Sequence, residues 1–311
     1  MHVVITGGSG FVGQALTHLL IQKGHRVTIL TRLSDNKRTS EFVNYVEWLS
    51  AESQPENELK GVDAMVNLAG EPIGSGRWNQ SKKEAILNSR LTATKEVIRI
   101  LRHLNPKPKV LVNASGISYY GMSDFKTFNE TTKSYANDFL AKVVKRWEKE
   151  GETAKELGVR TVFARFGIIL GQEGALPRMV LPYKLGIGGT IGSGKQWISW
   201  VHIQDVVEMV YFAMIKPEVE GPMNVTSPNP IRMSSFGQSI GDVLHRPHWL
   251  RVPGVALKIA LGEMSQVVLK GQKVIPQKAL YHNYSFQFTE VKSALSDILR
   301  KNGRPKHPAN R

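Results

Sequence analysis

Apolar residues in the first part of the chain fall into short runs separated by longer stretches with helical spacing. The β-branched and apolar runs at His2–Thr6, Arg26–Thr31, 45–49 and 63–68 predict strands. Apolar positions three and four residues apart predict a helix over residues 11–23, between the first two strands. This order of elements predicts a β-α-β unit with parallel strands.

The alternation of strands and helices continues as far as residue 166. Helices are predicted over residues 82–104 and 137–157, and strands over 110–114 and Arg160–Phe166. Such alternation is typical of a parallel, doubly wound sheet with helices on both faces. Because ligands of these sheets bind beyond the carboxyl ends of the strands, the residues that follow the strands are the candidates for function.

A glycine-rich turn stands between the first strand and the first helix. In a Gly-x-x-Gly-x-x-Gly pattern, the first glycine permits a tight turn, the second lets a diphosphate approach the backbone, and the third allows close helix packing. The N-terminus of the helix offers unpaired N–H groups to the anion. The residues predicted to hold a dinucleotide here are Gly7, Gly8, Ser9, Gly10, Phe11, Val12 and Gly13.

The second strand ends in Thr31 and Arg32. Dinucleotide sites that hold NAD usually place Asp or Glu at this point to bind the ribose hydroxyls. A guanidinium there pairs with a 2′-phosphate and stacks on adenine, so we predict that NADP(H) is the cofactor. Asp35, three residues further on, is the alternative and would favour NAD.

These elements together predict an α/β protein with a Rossmann-type doubly wound parallel sheet and a smaller C-terminal substrate lobe. Beyond residue 170 glycine and proline become frequent and the apolar segments shorter. We assign residues 1–170 to the NADP(H)-binding domain and 171–300 to the lobe, and some segments of the later range return to the first domain. Residues 301–311 are assigned to a disordered basic tail. Further predicted elements are helices over 206–215, 235–244, 255–262 and 290–299, and a strand over 223–226.

Composition narrows the class of protein. Hydrophobic residues make up 41% and charged residues 22% of the 311 residues, as in ordinary folded domains. The chain contains no cysteine, which excludes disulfides, thiolate metal sites and cysteine nucleophiles, and we predict no metal site. It has neither an apolar run of about 18 residues nor a charged-then-apolar leader, so we expect a cytoplasmic protein.

The formal charge of +15 fits nucleic acid, an anionic membrane surface or a phosphate-bearing small ligand. The sequence contains no basic-aromatic motif of a known nucleic-acid module, so we expect neither nucleic acid nor a membrane as partner. Part of the charge lies in a Pro- and Gly-containing tail that we predict to be solvated. Its basic residues are Arg300, Lys301, Arg304, Lys306 and Arg311.

Three segments that follow strands or lie on the long helix resemble a known superfamily. They are Asn67-Leu68-Ala69-Gly70, Asn88-Ser89-Arg90-Leu91 and Arg165-Phe166-Gly167. With the glycine turn, they resemble the extended or atypical short-chain dehydrogenases/reductases, which include nucleotide-sugar epimerases and dehydratases. The resemblance implies that Leu68, Ala69 and Gly70 line the cofactor site, that Arg90 lies behind the diphosphate, and that Ile169 approaches the nicotinamide. A surface position for Arg90 is the alternative.

The usual catalytic residues of this superfamily are missing. Its enzymes typically use a Ser or Thr after the fifth strand and a Tyr-x-x-x-Lys pair on the next helix. Here Gly116 takes the place of the hydroxyl donor, and Phe139 rather than lysine stands four residues after Tyr135. The remaining candidates for proton transfer near the nicotinamide are Ser115, Ser118, Tyr119 and Tyr120.

A second glycine-rich stretch, residues 189–195, fits the first part of a P-loop. Gln196 follows where magnesium coordination needs Ser or Thr, and no strand-like run precedes the stretch, so we reject a nucleoside triphosphatase. We expect this loop to bind an anionic or sugar-bearing substrate at the mouth of the crevice. The residues predicted to do so are Lys195, Gln196, Trp197 and Trp200.

The residues after this loop are similar to a subgroup of the superfamily, the nucleoside-diphosphate-sugar epimerase-like proteins that carry a C-terminal domain of unknown function. The similarity extends over residues 251–253, 262–264 and 271–276. Within the loop, we expect His202 to make a hydrogen bond and Asp205 to cap the following helix.

The leading hypothesis is an NADP(H)-dependent oxidoreductase or epimerase that acts on a small, anionic or glycosylated molecule, with nucleotide sugars among the candidates. The alternative, which the missing Tyr-Lys pair favours, is a non-catalytic NADP(H) sensor or scaffold. Related folds often dimerise through the helices that correspond to residues 82–104 and 137–157, so a homodimer is expected.

Overall fold

The computed structural model describes residues 1–32 and 39–301. Asp35 and the tail beyond residue 301, both considered above, lie outside the described residues. No helix within the described ranges combines the length and the apolar character that a bilayer crossing requires.

Strands occur along the whole described chain, and most of those after residue 170 are short. They are β1 (His2–Thr6), β2 (Arg26–Thr31), β3 (Val43–Glu47), β4 (Ala64–Asn67), β5 (Val110–Gly116), β6 (Thr127–Phe128), β7 (Arg160–Phe166), β8 (Ile168–Leu170), β9 (Gly189–Ile191), β10 (Trp197–Ile198), β11 (Trp200–His202), β12 (Gly221–Val225), β13 (Ile231–Arg232), β14 (Leu250–Val252) and β15 (Lys273–Val274).

Helices connect and cover these strands. The α-helices are α1 (Phe11–Gln22), α2 (Gln80–His103), α3 (Phe139–Glu152), α4 (Leu176–Lys184), α5 (Ile203–Ile215), α6 (Met233–Leu244), α7 (Gly254–Leu261), α8 (Ser265–Leu269), α9 (Gln277–Tyr281) and α10 (Val291–Lys301). Short 3₁₀ helices cover Pro55–Asn57, Ile117–Tyr120, Thr153–Leu157 and Gly262–Met264.

Seven parallel strands form the central sheet in the order β3-β2-β1-β4-β5-β7-β12. After β3 the chain crosses back over β1 to lay down β4, so the strand order reverses between β1 and β4. A crevice opens beyond the carboxyl ends of the strands at such a reversal. This arrangement confirms the predicted Rossmann-type doubly wound sheet.

Alternate residues of each strand face opposite layers of helices. Val3 and Ile5 pack into a core with Leu16 of α1, whereas Val4 packs into a second core with Val97 of α2. The side chains of α5 join the first core, and α3 packs beside α2. Because both faces of the sheet are covered, most strand residues are apolar, which is why the strands appear in the sequence as apolar runs.

A third core lies in the C-terminal part of the chain, where α4, α6 and α10 surround the fully buried Trp200. Small two-stranded sheets tie this region together, through the pairs β9–β14, β10–β13, β8–β11 and β6–β15. The strand β12 belongs to this later part of the sequence but forms one edge of the central sheet. The two regions are therefore joined by more than one crossing of the chain.

Most predicted elements differ from the structure by one to a few residues at their ends. The strand predicted over 45–49 runs from Val43 to Glu47, and the helix predicted over 137–157 begins only at Phe139. The Asp138 side chain accepts a hydrogen bond from the backbone N–H of Ala141 (3.1 Å) and so fixes the start of α3. The same helix gives way to the 3₁₀ helix after Glu152, and the chain leaves that helix at Gly158 in a left-handed conformation.

The prediction that Asp205 caps α5 was wrong. His202 takes the cap position, where its Nδ1 atom accepts from the backbone N–H of Gln204 (3.1 Å). Asp205 lies one turn further on, 0% exposed, and accepts hydrogen bonds from the backbone N–H groups of Gln287 and Phe288, each 2.9 Å. Its carboxylate therefore anchors the segment before α10 to the helix α5.

We expect Asp205→Ala to lower the free energy of unfolding by about 1–3 kcal/mol, because the amide groups of Gln287 and Phe288 lose their acceptor. The measurement is urea unfolding followed by circular dichroism. Asp242→Ala is the matched control, since its exposed pair with Lys292 contributes little to stability. An equal effect of the two substitutions would contradict the anchoring role of Asp205.

Candidate functional site

The residues predicted to bind a cofactor gather at the carboxyl ends of the strands of the central sheet. Gly7 follows β1, Arg32 follows β2, Leu68 follows β4 and Gly116 ends β5. Ile169 lies in β8, directly after β7. Because these strands are parallel neighbours, their carboxyl ends bring together residues that are far apart in the sequence.

The glycine turn is packed so closely that side chains are excluded from it. Gly7 has a φ of +68°, and a Cβ atom there would lie 2.8 Å from the carbonyl carbon of Leu68. A Cβ atom on Gly13 would lie 2.3 Å from the carbonyl oxygen of Gly7. These contacts press the start of α1 against the ends of β1 and β4, as the glycine pattern predicts.

The N-terminus of α1 is open to an anion. Gly10 occupies the cap position without a side-chain hydrogen bond, and the first turn of the helix contains no acidic residue. The backbone N–H of Gly10 is used within the turn, where it donates to the carbonyl oxygen of Gly7 (3.0 Å). The next N–H groups of the helix and its dipole suit a diphosphate, so the residues present fit a dinucleotide.

The ends of β1, β4 and β5 are held together by a buried polar cluster that the sequence analysis did not identify. The Thr6 hydroxyl donates to the Asn67 side-chain oxygen (2.6 Å), and the Asn67 amide donates to Asn113 (2.7 Å) and to Thr94 of α2 (3.0 Å). The indole of Trp147 also donates to Thr94 (3.0 Å). In the sequence, the signal that could have identified this cluster is the presence of polar residues at the ends of otherwise apolar strands.

Arg90 supports the loop after β4 from behind. Its guanidinium is buried and donates to the carbonyl oxygens of Glu71 (3.0 Å) and Ile86 (2.9 Å). Burial lowers the pKa of Arg90 to about 10. A Cβ atom on Gly70 would come within 3.1 Å of the guanidinium carbon, which explains the glycine at this position. The alternative of a surface position for Arg90 was wrong.

Ser115 and Tyr120 belong to a buried network centred on an ion pair. Glu148 of α3 and Arg165 of β7 pair through two hydrogen bonds of 2.7 Å each. The Ser115 hydroxyl donates to Glu148 (2.6 Å), and the Tyr120 hydroxyl donates to Asn224 (2.8 Å) while it accepts from Arg165 (2.9 Å). Both hydroxyl groups are thus engaged inside the protein.

Ser118 and Tyr119 are the two proton-transfer candidates with partly exposed side chains. The guanidinium carbon of Arg165 lies 3.5 Å from the centre of the Tyr119 ring, which is a close cation–π contact. Tyr120 is buried, unlike these two residues, and burial raises the pKa of its hydroxyl group to about 12, which opposes ionisation.

The structure shows which side chains of α3 lie near Gly116, the residue in the place of the usual hydroxyl donor. Val144 of α3 faces Gly116, and its Cγ2 atom would lie 3.6 Å from a Cβ atom added to that glycine. Leu140, one turn earlier on the same face, is buried. Tyr135 precedes α3 and is 90% exposed, so it does not point toward the sheet. At Gly116 the helix therefore presents apolar side chains, and one turn later it presents Glu148 to Ser115.

The residues predicted to bind substrate in the second glycine-rich loop are not brought to one surface. Trp200 is 0% exposed in the third core, and Gln196 is buried, where its amide donates to the carbonyl oxygens of Ile191 and Val268. Trp197 is half-buried beneath the guanidinium of Arg232. Lys195 is exposed. Trp200 and Gln196 therefore hold the loop in place, in contrast to the expectation for the mouth of a crevice.

A cavity of about 170 Å³ lies beside the start of α3, and the sequence analysis did not predict it. Its polar rim consists of Asp138, Glu263 and Gln266. Its apolar walls are Trp78, Met122, Phe139, Leu140 and Val267. These residues come from separate parts of the chain, so no local pattern marks them.

The sheet order, the glycine turn and the open helix end define a Rossmann-type dinucleotide-binding protein. The chain belongs to the NAD dependent epimerase/dehydratase family, whose model matches residues 3–226. Residues 252–298 match a second model, a domain of unknown function designated DUF1731. Both matches agree with the resemblance found in the sequence.

Similar proteins of known sequence have nearly the same length. The epimerase family protein YfhF of Bacillus subtilis is 47% identical over 301 residues, which cover 96% of this chain and 98% of that protein. The epimerase family protein SSP1921 of Staphylococcus saprophyticus is 40% identical and covers 96% and 99%.

Solved structures show the same fold. The human epimerase family protein SDR39U1, crystallised with NADPH, is 32% identical, with a TM-score of 0.86 and coverage of 96% of this chain and 99% of that chain. The UDP-glucuronic acid 4-epimerase of Bacillus cereus, in complex with NAD, has a TM-score of 0.76 at 14% identity and covers 96% of each chain. The latter likeness shows the fold alone.

We expect Gly13→Ala to lower the free energy of unfolding by about 1–3 kcal/mol and to weaken NADPH binding, since the added methyl group would collide with the backbone of Gly7. Chemical unfolding and a fluorescence titration with NADPH measure the two effects. Gly74→Ala is the control, because its new methyl group meets only the flexible end of Arg178, at 3.4 Å. A variant Gly13→Ala with unchanged stability would refute the packing argument.

Proposed function

We propose that the protein binds NADP(H) and catalyses hydride transfer to or from a small-molecule substrate. The observation that carries this proposal is the closely packed glycine turn below an uncapped helix N-terminus, at the point where the strand order reverses. Membership of the NAD dependent epimerase/dehydratase family supports it. NADP(H), when bound, would supply or accept the hydride.

The preference for NADP(H) over NAD(H) is assigned to Arg32. This residue is exposed at the end of β2, the place at which the adenosine ribose lies in proteins of this fold. A hydrogen bond fixes the backbone just before Arg32, because the N–H of Trp48 donates to the carbonyl oxygen of Thr31 (3.0 Å). The NADPH in the crystals of the human relative supports this assignment.

Arg32→Ala is expected to weaken NADPH binding about 10- to 100-fold, the value of a charge-assisted hydrogen bond to phosphate. NADH binding is expected to stay within about twofold, since NADH lacks the 2′-phosphate that Arg32 would contact. Fluorescence titrations with both nucleotides measure the change. Arg26→Ala provides the control, because Arg26 is an exposed arginine at the opposite end of the same strand. Equal loss for NADPH and NADH would contradict the role of Arg32.

Proton transfer in this site is assigned to Ser118 or Tyr119. Ser115 and Tyr120 were considered with them, but the Glu148–Arg165 ion pair and Asn224 engage their hydroxyl groups. Val144 rather than a lysine stands opposite Gly116, and the ammonium group of Lys145, 6.0 Å from the Tyr119 ring centre, donates to the carbonyl oxygens of Ser134 and Ala136. We therefore expect slow turnover compared with enzymes that have a Tyr-Lys pair.

The test is a panel of small aldehydes and ketones mixed with the protein and NADPH, with the absorbance of the reduced nicotinamide as readout. On a carbonyl compound that is turned over, Ser118→Ala or Tyr119→Phe should lower kcat at least about 100-fold at unchanged NADPH affinity. Tyr135→Phe should have no effect, since Tyr135 is 90% exposed outside α3. Absence of any turnover while NADPH is bound would count against an oxidoreductase.

The alternative of a non-catalytic NADP(H) sensor or scaffold is not favoured by the comparisons, since the relatives are named as epimerase family proteins. A nucleotide sugar as substrate stays a prediction, since the UDP-glucuronic acid 4-epimerase shares only the fold at 14% identity. A cytoplasmic location and a homodimer through the faces of α2 and α3 stay predictions.

A further inference from the structure

The cavity beside α3 lies near the carboxyl ends of the central strands, where the glycine turn also lies. Leu140, one of its walls, is one helical turn before Val144, which faces Gly116 at the end of β5. Met122, another wall, directly follows Gly121, where the 3₁₀ helix after β5 ends. The cavity is therefore next to the residues to which proton transfer is assigned.

The size of the cavity limits what it can hold. Its volume is about 170 Å³. An apolar protein cavity of about 150 Å³ accommodates one benzene molecule, whereas drug-sized ligands occupy pockets of about 300–1,000 Å³. A single six-membered ring with a small substituent fills this space, so the nucleotide part of a nucleoside diphosphate sugar would have to lie outside it.

The walls suit an apolar ring. Trp78 and Phe139 meet edge to face, with ring centres 5.3 Å apart. The indole N–H of Trp78 donates to the carbonyl oxygen of Ile73 (2.9 Å), which fixes the ring and satisfies its polar atom. With Leu140 buried behind them, these side chains offer aromatic and aliphatic surface rather than hydrogen-bonding groups.

The charges around the cavity oppose an anionic ligand. Two of its rim residues, Asp138 and Glu263, are acidic, and none of the described residues that line it is basic. The ammonium group of Lys83 lies near, 5.5 Å from the centre of the Phe139 ring, but it forms an ion pair with Glu263. A diphosphate placed here would meet the Asp138 carboxylate, and it would have to compete with Glu263 for the ammonium group of Lys83.

We propose that this cavity is the substrate subsite and that it takes an uncharged, ring-sized carbonyl compound, aromatic or alicyclic, rather than a nucleoside diphosphate sugar. This inference rests on the proposed hydride-transfer function. Reduction of such a compound moves a hydride from NADPH to the carbonyl carbon and a proton to its oxygen, which yields an alcohol and NADP⁺.

The experiment uses the full chain, with and without NADPH, and two probes, acetophenone and UDP-glucose. Binding of each probe is measured by saturation-transfer NMR, a readout that does not need turnover. We expect acetophenone to bind and UDP-glucose not to bind. Binding of UDP-glucose but not acetophenone, or of neither probe, would overturn the inference.

Two substitutions locate the binding. Val267→Trp places a large ring at the cavity wall, where Val267 is 37% exposed, and should weaken acetophenone binding at least about tenfold. Val255→Trp on α7 is the matched control, because Val255 is 67% exposed and does not line the cavity, and it should have no effect. Equal effects of the two substitutions would place acetophenone elsewhere and overturn the inference.

The outcome also separates this inference from the proposed function. The fluorescence titration with NADPH tests the cofactor site alone. If NADPH does not bind, the proposed function is refuted, whereas the acetophenone result still reports on the cavity. Conversely, tight NADPH binding together with UDP-glucose binding would preserve the cofactor site and refute only the substrate class.

Discussion

The close approach of the glycine turn to the end of β4 is the constraint on which the rest of this structure depends. The backbone of Gly7 lies against the backbone of Leu68 with no room for a side chain. Beneath it, Thr6, Asn67 and Asn113 bind one another and fix the relative positions of three strand ends. Because α1 starts from this turn, its N-terminal N–H groups are aimed beyond the sheet, where a diphosphate is held in proteins of this fold.

The same end of the sheet carries the buried Glu148–Arg165 ion pair, and Val144 rather than a lysine stands opposite Gly116. Ser115 and Gly116 both meet α3, where Glu148 accepts from the Ser115 hydroxyl and Val144, one helical turn earlier, faces Gly116. The sheet keeps the glycine turn and the strand reversal of dinucleotide-binding proteins, while an apolar side chain, Val144, faces Gly116. An apolar carbonyl substrate is consistent with such surroundings.

The C-terminal segment completes the site in two ways. Residues 252–298, which match the domain of unknown function, include Glu263 and Val267 at the cavity. They also include the backbone groups of Gln287 and Phe288 that Asp205 holds. The segment that distinguishes this chain from a bare dinucleotide-binding domain is thus attached to α5 at one point and encloses the cavity at another.

The sequence by itself determined the features that depend on local pattern. Strand and helix periodicity, the spacing from Gly7 to Gly13 and the place of Arg32 after β2 are set by neighbouring residues, so the parallel doubly wound sheet and the cofactor edge were predictable. Only the tertiary structure decided which polar and aromatic side chains line the cavity and which are buried in a core. Trp200 is buried because α4, α6 and α10 close around it. The cavity forms where separate segments meet, and long-range packing of this kind leaves no periodic signal in the chain.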